Sequence, residues 1–212
     1  MKKILLALLL ISPAFAQEEI AQPPGMQELM AEMVRGRYRM KEASASPWEE
    51  EIIVTSAHID AYVKGELCSS KEADVKFVNN GTEQRAEWRE PNAYEDVMYV
   101  GFFQIEDTTT DKPMMSIQTK TSGKILHKTV LGFRGEPTNN FWIGAGMTVK
   151  GMSGGPVVAS DGKIVGIIVG AVSPKVTRFQ DYFEKFGSLT VVVPYSKIDE
   201  VWQKCGVNHD SN

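Results

Sequence analysis

The sequence predicts an all-β protein built as two antiparallel barrels and followed by one C-terminal helix. Three observations carry that expectation. Short apolar β segments recur beyond Arg37, Gly and Asn turns separate them, and the βα alternation that a parallel sheet requires does not appear. The run Asp107-Thr108-Thr109-Thr110-Asp111-Lys112-Pro113 is polar and turn-rich without an apolar period, and is the expected linker between the halves. The expected organisation is a signal peptide at 1–16, a leader with a short helix at 17–36, barrels at 37–112 and 113–195, and a helix with a polar tail at 196–212.

The first segment has the layout of an export signal. Lys2 and Lys3 precede the apolar run 4–11, and Ala14-Phe15-Ala16 offers small residues on both sides of an A-x-A cleavage site, so cleavage is expected after Ala16. The apolar run is about half the roughly 20 residues that span a bilayer, so no membrane association is expected after cleavage. Without Lys2 and Lys3 the 23 basic residues fall to 21 against 27 acidic ones, a net charge of −6. That balance, with no basic run, argues against nucleic acid as a partner. In the leader, Met26, Leu29, Met30 and Met33 fall at helical spacing, a stripe that packs on a core.

Ile52-Ile53-Val54-Thr55 reads as a buried strand. Residues 74–78 and 82–88 flank Asn79-Asn80-Gly81, an Asn-Gly turn that supplies the positive φ angles of a tight hairpin. Residues 97–103 form another apolar strand. Beyond the linker the β pattern resumes at 124–133, 141–149, 156–160, 164–172 and 189–194, with Asp161-Gly162 as a hairpin turn and a short helix at 178–186. Ile198, Val201, Trp202 and Cys205 share one face of the last helix, and Ser196 and Asp199 are spaced as a capping box. Export exposes Cys68 and Cys205 to an oxidising compartment. The sequence leaves two arrangements open for them: one bridge between the helix and the first half, or two separately buried thiols.

The chemistry concentrates at Gly151-Met152-Ser153-Gly154-Gly155-Pro156. Glycines around a serine let the backbone turn tightly and let a substrate approach, leaving the N–H groups of Gly151 and Ser153 free to point into one hole. A serine nucleophile also needs a base and a group to orient that base. Of the three histidines, His209 lies in the polar tail and His127 reads as an ordinary strand position. His58 ends the strand 52–57, where a rigid element presents a side chain to a loop. Asp96 stands at the edge of the apolar strand that follows it and is the expected orienting acid, although alone it fits a turn cap equally well. Asp60, Asp74, Asp107 and Asp111 fall in loops or at hairpin starts and are set aside.

Together, Thr55-Ser56-Ala57-His58, Glu95-Asp96-Val97-Met98 and the serine motif resemble the histidine, aspartate and serine motifs of the trypsin/chymotrypsin-like serine endopeptidases, in that order. Residues 80–97 and Thr190-Val191-Val192-Val193-Pro194-Tyr195-Ser196 are similar to bacterial periplasmic HtrA-type protease domains. The resemblance implies two six-stranded barrels, a His58-Asp96-Ser153 triad, a Gly151/Ser153 oxyanion hole, and a protease domain without the peptide-binding PDZ domain. Met152 stands where the digestive relatives carry the aspartate of their activation switch, so packing is expected to hold the oxyanion loop. By the same resemblance Met147, Ile168, Val169, Gly170 and Ala171 bind the substrate, with a small or medium apolar residue preferred before the cut.

Gly151-Met152-Ser153-Gly154-Gly155 also satisfies the nucleophile elbow of α/β-hydrolases, but that fold needs a helix after the serine, and a β run follows here. The expectation is therefore a secreted or periplasmic serine endopeptidase acting on protein or peptide, with no cofactor and no metal. Its rate should rise with pH as an imidazole loses its proton. The rival expectation is a protease-fold binding module without turnover.

Overall fold

In the computed structural model the described residues are 38–42, 44–59, 65–81, 85–107, 112–133, 136–149 and 151–206. The expected signal, the Met26–Met33 helix and His209 lie outside them. Among the described residues eleven strands and two α-helices follow in order: β1 Tyr38–Glu42, β2 Ser46–Glu49, β3 Ile52–Thr55, β4 Glu66–Ser70, β5 Val75–Asn79, β6 Asp96–Asp107, β7 Lys112–Phe133, β8 Glu136–Ala145, β9 Pro156–Ala159, β10 Ile164–Ala171, α1 Gln180–Phe186, β11 Leu189–Pro194 and α2 Tyr195–Lys204.

One sheet runs β1-β6-β7-β8-β11-β10-β9, and pairing of β9 back onto β6 closes six of these strands into a barrel. Its interior holds Tyr99, Ile125, Met152, Val157, Val165, Ile168 and Val192. Tyr99 is fully buried, its hydroxyl donates to the Ala145 carbonyl at 3.2 Å, and burial raises its pKa. Glycine is required where the ring passes the wall, because a Cβ on Gly123 or Gly144 would collide with the Tyr99 ring or hydroxyl. The first half forms a four-stranded sheet, β2-β3-β5-β4, so the described residues show one closed six-stranded barrel and one smaller sheet where two six-stranded barrels are expected.

The unit boundary needs correction. Residues 108–111 of the expected linker lie outside the described residues, but β6 and β7 on either side of them are antiparallel neighbours from Asp96↔Lys124 to Asp107↔Lys112, two strands of one barrel rather than of separate halves. A hairpin end and a linker have the same composition. The chain passes between the sheets from β1 to β2 and again from β5 to β6, and the described residues 85–95 before β6 are strapped to the barrel. Trp88 bridges Ile164, the Arg89 N–H donates to the Ile164 carbonyl at 3.0 Å, and the Arg89 guanidinium spans Glu95 and Asp161 at 2.7 and 2.8 Å. Hydrogen bonds to Glu95 and Asp161 raise the Arg89 pKa, and the hydrogen bond from Arg89 lowers that of Asp161.

The expected hairpin of 74–78 with 82–88 is also replaced. Strand β5 lies between β3 and β4, and the Asn80 and Gly81 N–H groups donate to the Glu51 carbonyl. Helix α2 buries Ile198, Val201 and Trp202 as its apolar face requires, Trp202 packing on Phe77 with ring centroids 4.7 Å apart. Its expected capping box does not form. The helix enters from Pro194 without a side-chain cap, and Glu90 accepts from the Ser196 N–H at 3.0 Å. Cys68 on β4 and Cys205 at the end of α2 are bridged, with Cα atoms 6.0 Å apart.

Candidate active site

Strand β3 ends at Thr55, and the chain turns through Ser56, Ala57 and His58, with the Ile59 N–H donating to the Ser56 carbonyl at 3.1 Å. The acid facing His58 is Asp74, not Asp96. One Asp74 oxygen accepts the His58 main-chain N–H at 2.8 Å, and the other lies 2.7 Å from Nδ1 of the ring. A carboxylate only accepts hydrogen bonds, so Nδ1 carries the proton and Nε2 is left with a lone pair for a base. Asp74 is 2% exposed and sits at φ 53°, a left-handed conformation that Asp tolerates, at the turn between β4 and β5.

Asp96 has a different partner. It opens β6 in the closed barrel, its side chain is 73% exposed, and its carboxylate pairs with Lys124 on β7 at 2.5 Å. The physical reason is strand pairing. Strand β5 lies beside the histidine strand, with Thr55↔Lys76 in register, whereas β6 pairs with β1, β7 and β9.

The Ser153 turn is fixed to the histidine strand by shared atoms. Thr55 Oγ1 donates to the Ser44 carbonyl at 2.6 Å, and the Ser44 N–H donates to the Ser153 carbonyl at 3.1 Å. The Ile168 carbonyl accepts both Ser56 Oγ–H at 3.2 Å and the Gly154 N–H at 2.6 Å. Gly151 and Gly154 adopt φ 98° and 86°, and a Cβ on Gly154 would collide with the Ser44 carbonyl and Thr55 Oγ1. Met152 is fully buried in the barrel, and its sulfur accepts the Val149 N–H at 3.3 Å. The N–H groups of Met152, Gly154 and Gly155 are each taken by a main-chain carbonyl. Among the described residues, those of Gly151 and Ser153 are not.

The expected substrate-binding residues divide by exposure. Ile168 and Val169 are buried, their side chains in the two main cores, so neither walls an open pocket, and the Ile168 N–H is itself taken by the Gly155 carbonyl. Gly170 is partly exposed, Ala171 is exposed, and Met147 is 58% exposed after β8. Strand β9 pairs with β10 only as far as Ile167↔Pro156, so among the described residues Val169 to Ala171 have β11 on one side and no strand on the other. Next to them Thr190 Oγ1 donates to the Gly146 carbonyl at 3.0 Å and lies 3.1 Å from Thr148 Oγ1. Sequence reasoning set Asp74 aside and did not single out Ser44. For Asp74 the available signal was a carboxylate directly before Val75-Lys76-Phe77-Val78, a context equal to that of Asp96.

No protein-family model matches the sequence, and no curated protein matches it at significant similarity. Solved structures do. The active form of the Rv3671c protease from M. tuberculosis superposes with TM-score 0.57 at 14% identity, over 97% of each chain. The fold is that of the chymotrypsin-like serine proteases. An inactive form of Rv3671c gives 0.56 at 15% identity, over 87% of this chain and 96% of that one. The HtrA-type protease AlgW, solved with a decapeptide, gives 0.56 at 17% identity over 77% of this chain and 51% of its own. Within the chymotrypsin-like fold, the histidine–carboxylate pair and the glycine-framed serine are contributed by the two different sheets.

Proposed function

We propose that this chain is an exported serine endopeptidase using Ser153, His58 and Asp74. The observation that carries the reading is the two-point carboxylate on His58, on a segment hydrogen-bonded through Ser44 and Ile168 to a serine turn whose Gly151 and Ser153 N–H groups have no main-chain partner among the described residues. His58 Nε2 takes the Ser153 proton as Oγ attacks the scissile carbonyl, and returns it to the leaving amine; water then repeats the cycle on the acyl-enzyme. Asp74 holds the tautomer and stabilises the imidazolium. The Gly151 and Ser153 N–H groups receive the oxyanion, a contribution of about 3 to 4 kcal/mol per donor in such sites. The substrate adds as a strand along Val169 to Ala171, the free edge of β10.

A serine-directed phosphonate should label the protein at one site, with labelling abolished in Ser153→Ala, as read by intact mass. A folded but unlabelled wild type would sink the enzyme reading and leave the binding module. Export to the periplasm or beyond is supported by the bridged cysteines, which persist in oxidising compartments. The exported protein should begin at Gln17 by N-terminal sequencing; a bulk of protein retained in the cytoplasm and starting at Met1 would refute export.

A further inference from the structure

Ser44 lies between β1 and β2, is 3% exposed, and touches the nucleophile turn at two points. Its N–H donates to the Ser153 carbonyl at 3.1 Å, and its hydroxyl donates to the Gly151 carbonyl at 2.7 Å. The hydroxyl oxygen accepts the Phe102 N–H at 2.8 Å, and the Ser44 carbonyl accepts Thr55 Oγ1–H. The Phe102 carbonyl at 3.2 Å is a second, longer acceptor for the single hydroxyl hydrogen.

We propose that the Ser44 hydroxyl is a positioning residue for the oxyanion hole. The inference rests on the protease reading above. In a trans peptide the carbonyl and the N–H point in opposite directions, so fixing one aims the other. Between Gly151 and Met152, Ser44 Oγ–H holds the carbonyl and the Val149 carbonyl holds the N–H at 3.1 Å. Between Ser153 and Gly154, the Ser44 N–H holds the carbonyl and the Ile168 carbonyl holds the N–H. Between Met152 and Ser153, the Met152 carbonyl accepts the Gly155 N–H at 2.9 Å, which turns the Ser153 N–H the other way. Gly151 has no Cβ to restrain its dihedrals, and sits at φ 98° beside the peptide that must present its own N–H. The Ser44 hydroxyl supplies from outside the restraint that the glycine lacks. The side chain at 152 that could have done so by charge is a methionine buried in the barrel.

Ser46 provides a matched comparison. It is fully buried and its hydroxyl donates to the Gly154 carbonyl at 3.0 Å, a bond of the same kind that touches no peptide of the Gly151 to Ser153 stretch. Wild type, Ser44→Ala, Ser44→Thr and Ser46→Ala would be compared in kcat and KM on a chromogenic peptide, affinity for a peptide aldehyde, rate of phosphonate labelling, and melting temperature.

Ser44→Ala should lower kcat about 10- to 100-fold with KM within about twofold, somewhat less than the full loss of one oxyanion donor. Aldehyde affinity should fall by the same factor, because the aldehyde forms a tetrahedral adduct. Ser44→Thr keeps the hydroxyl and should recover most of the rate, and Ser46→Ala should stay within about threefold of wild type. Equal kcat losses in Ser44→Ala and Ser46→Ala, tracking their melting temperatures, would overturn the inference. So would a Ser44→Ala variant labelled as fast as wild type. If Ser44→Ala does not fold, Ser44→Cys takes its place: its weak thiol donor should give the same selective loss of kcat, and a wild-type kcat there would overturn the inference. A wild type that takes no label at all overturns the protease reading itself, and this inference with it.

Discussion

Asp74→Asn should lower kcat/KM about 10⁴-fold, the scale of loss when the orienting acid of a serine triad becomes an amide, while Asp96→Asn should stay within about twofold of wild type. Asp74 uses both oxygens on His58, one on the main-chain N–H and one on Nδ1, and both sites need an acceptor. Asparagine offers one acceptor and one NH2. If its oxygen stays on the main-chain N–H, its NH2 faces Nδ1, and the ring responds by moving its proton to Nε2. The base then no longer has a lone pair for Ser153. If the amide is reversed, a donor faces a donor at the His58 main chain, and the turn that presents the ring is disturbed. Asp96 meets neither condition. Its partner is Lys124 at the surface, and exposed pairs of this kind contribute about 0 to 1 kcal/mol. Steady-state rates on one peptide substrate decide the matter, with phosphonate labelling of each variant to count functional serine. A loss in Asp96→Asn comparable to that in Asp74→Asn would mean that the charge on β6 reaches the chemistry by a route the geometry does not provide.

The contrast between Asp74 and Asp96 also marks how far the candidate site was legible in the sequence. The serine turn was legible because its requirements are local: glycine at positive φ, a proline and then a strand are all written within six residues. His58 was legible for a similar reason, at the end of a short buried strand. The acid was not. Two aspartates, Asp74 and Asp96, each precede an apolar strand, and nothing in either stretch says which strand lies beside β3. Pairing is settled by contacts between distant segments, and reading Asp74 as a loop or hairpin-start residue left Asp96, which lies in the other sheet from His58, as the expected acid. The displaced linker is the same error seen from the other end. Once β6 is counted with the first half, the polar run after it has to be a boundary, although β6 and β7 pair across it. Ser44 was invisible for a further reason: Ala43-Ser44-Ala45-Ser46 alternates two small residues and gives no sign that its first serine differs from its second, and the carbonyl that Ser44 holds lies 107 residues later.

Replacing both cysteines, Cys68→Ser with Cys205→Ser, should reduce unfolding free energy by about 5 kcal/mol, the loop-entropy cost of a closed loop well over 100 residues long. The bridge joins positions 137 residues apart. Its location makes the effect specific. The four-stranded sheet shares its core with α2 through Phe77, Trp48 and Trp202, and the bridge ties β4, its edge strand, to the end of that helix. In the entropic model the bridge acts on the unfolded chain, so native contacts around Asp74 should survive its removal. The double variant should therefore keep wild-type kcat well below its lowered melting temperature. Urea unfolding, with and without reductant, tests this directly: reductant should move the wild-type midpoint to that of the double variant and leave the variant where it is. A loss of unfolding free energy under about 1 kcal/mol would mean that the reduced chain stays held by helix packing alone. Loss of kcat at temperatures where the variant is fully folded would mean that the bridge acts on the native β4–β5 turn, and so on Asp74, rather than on the unfolded ensemble.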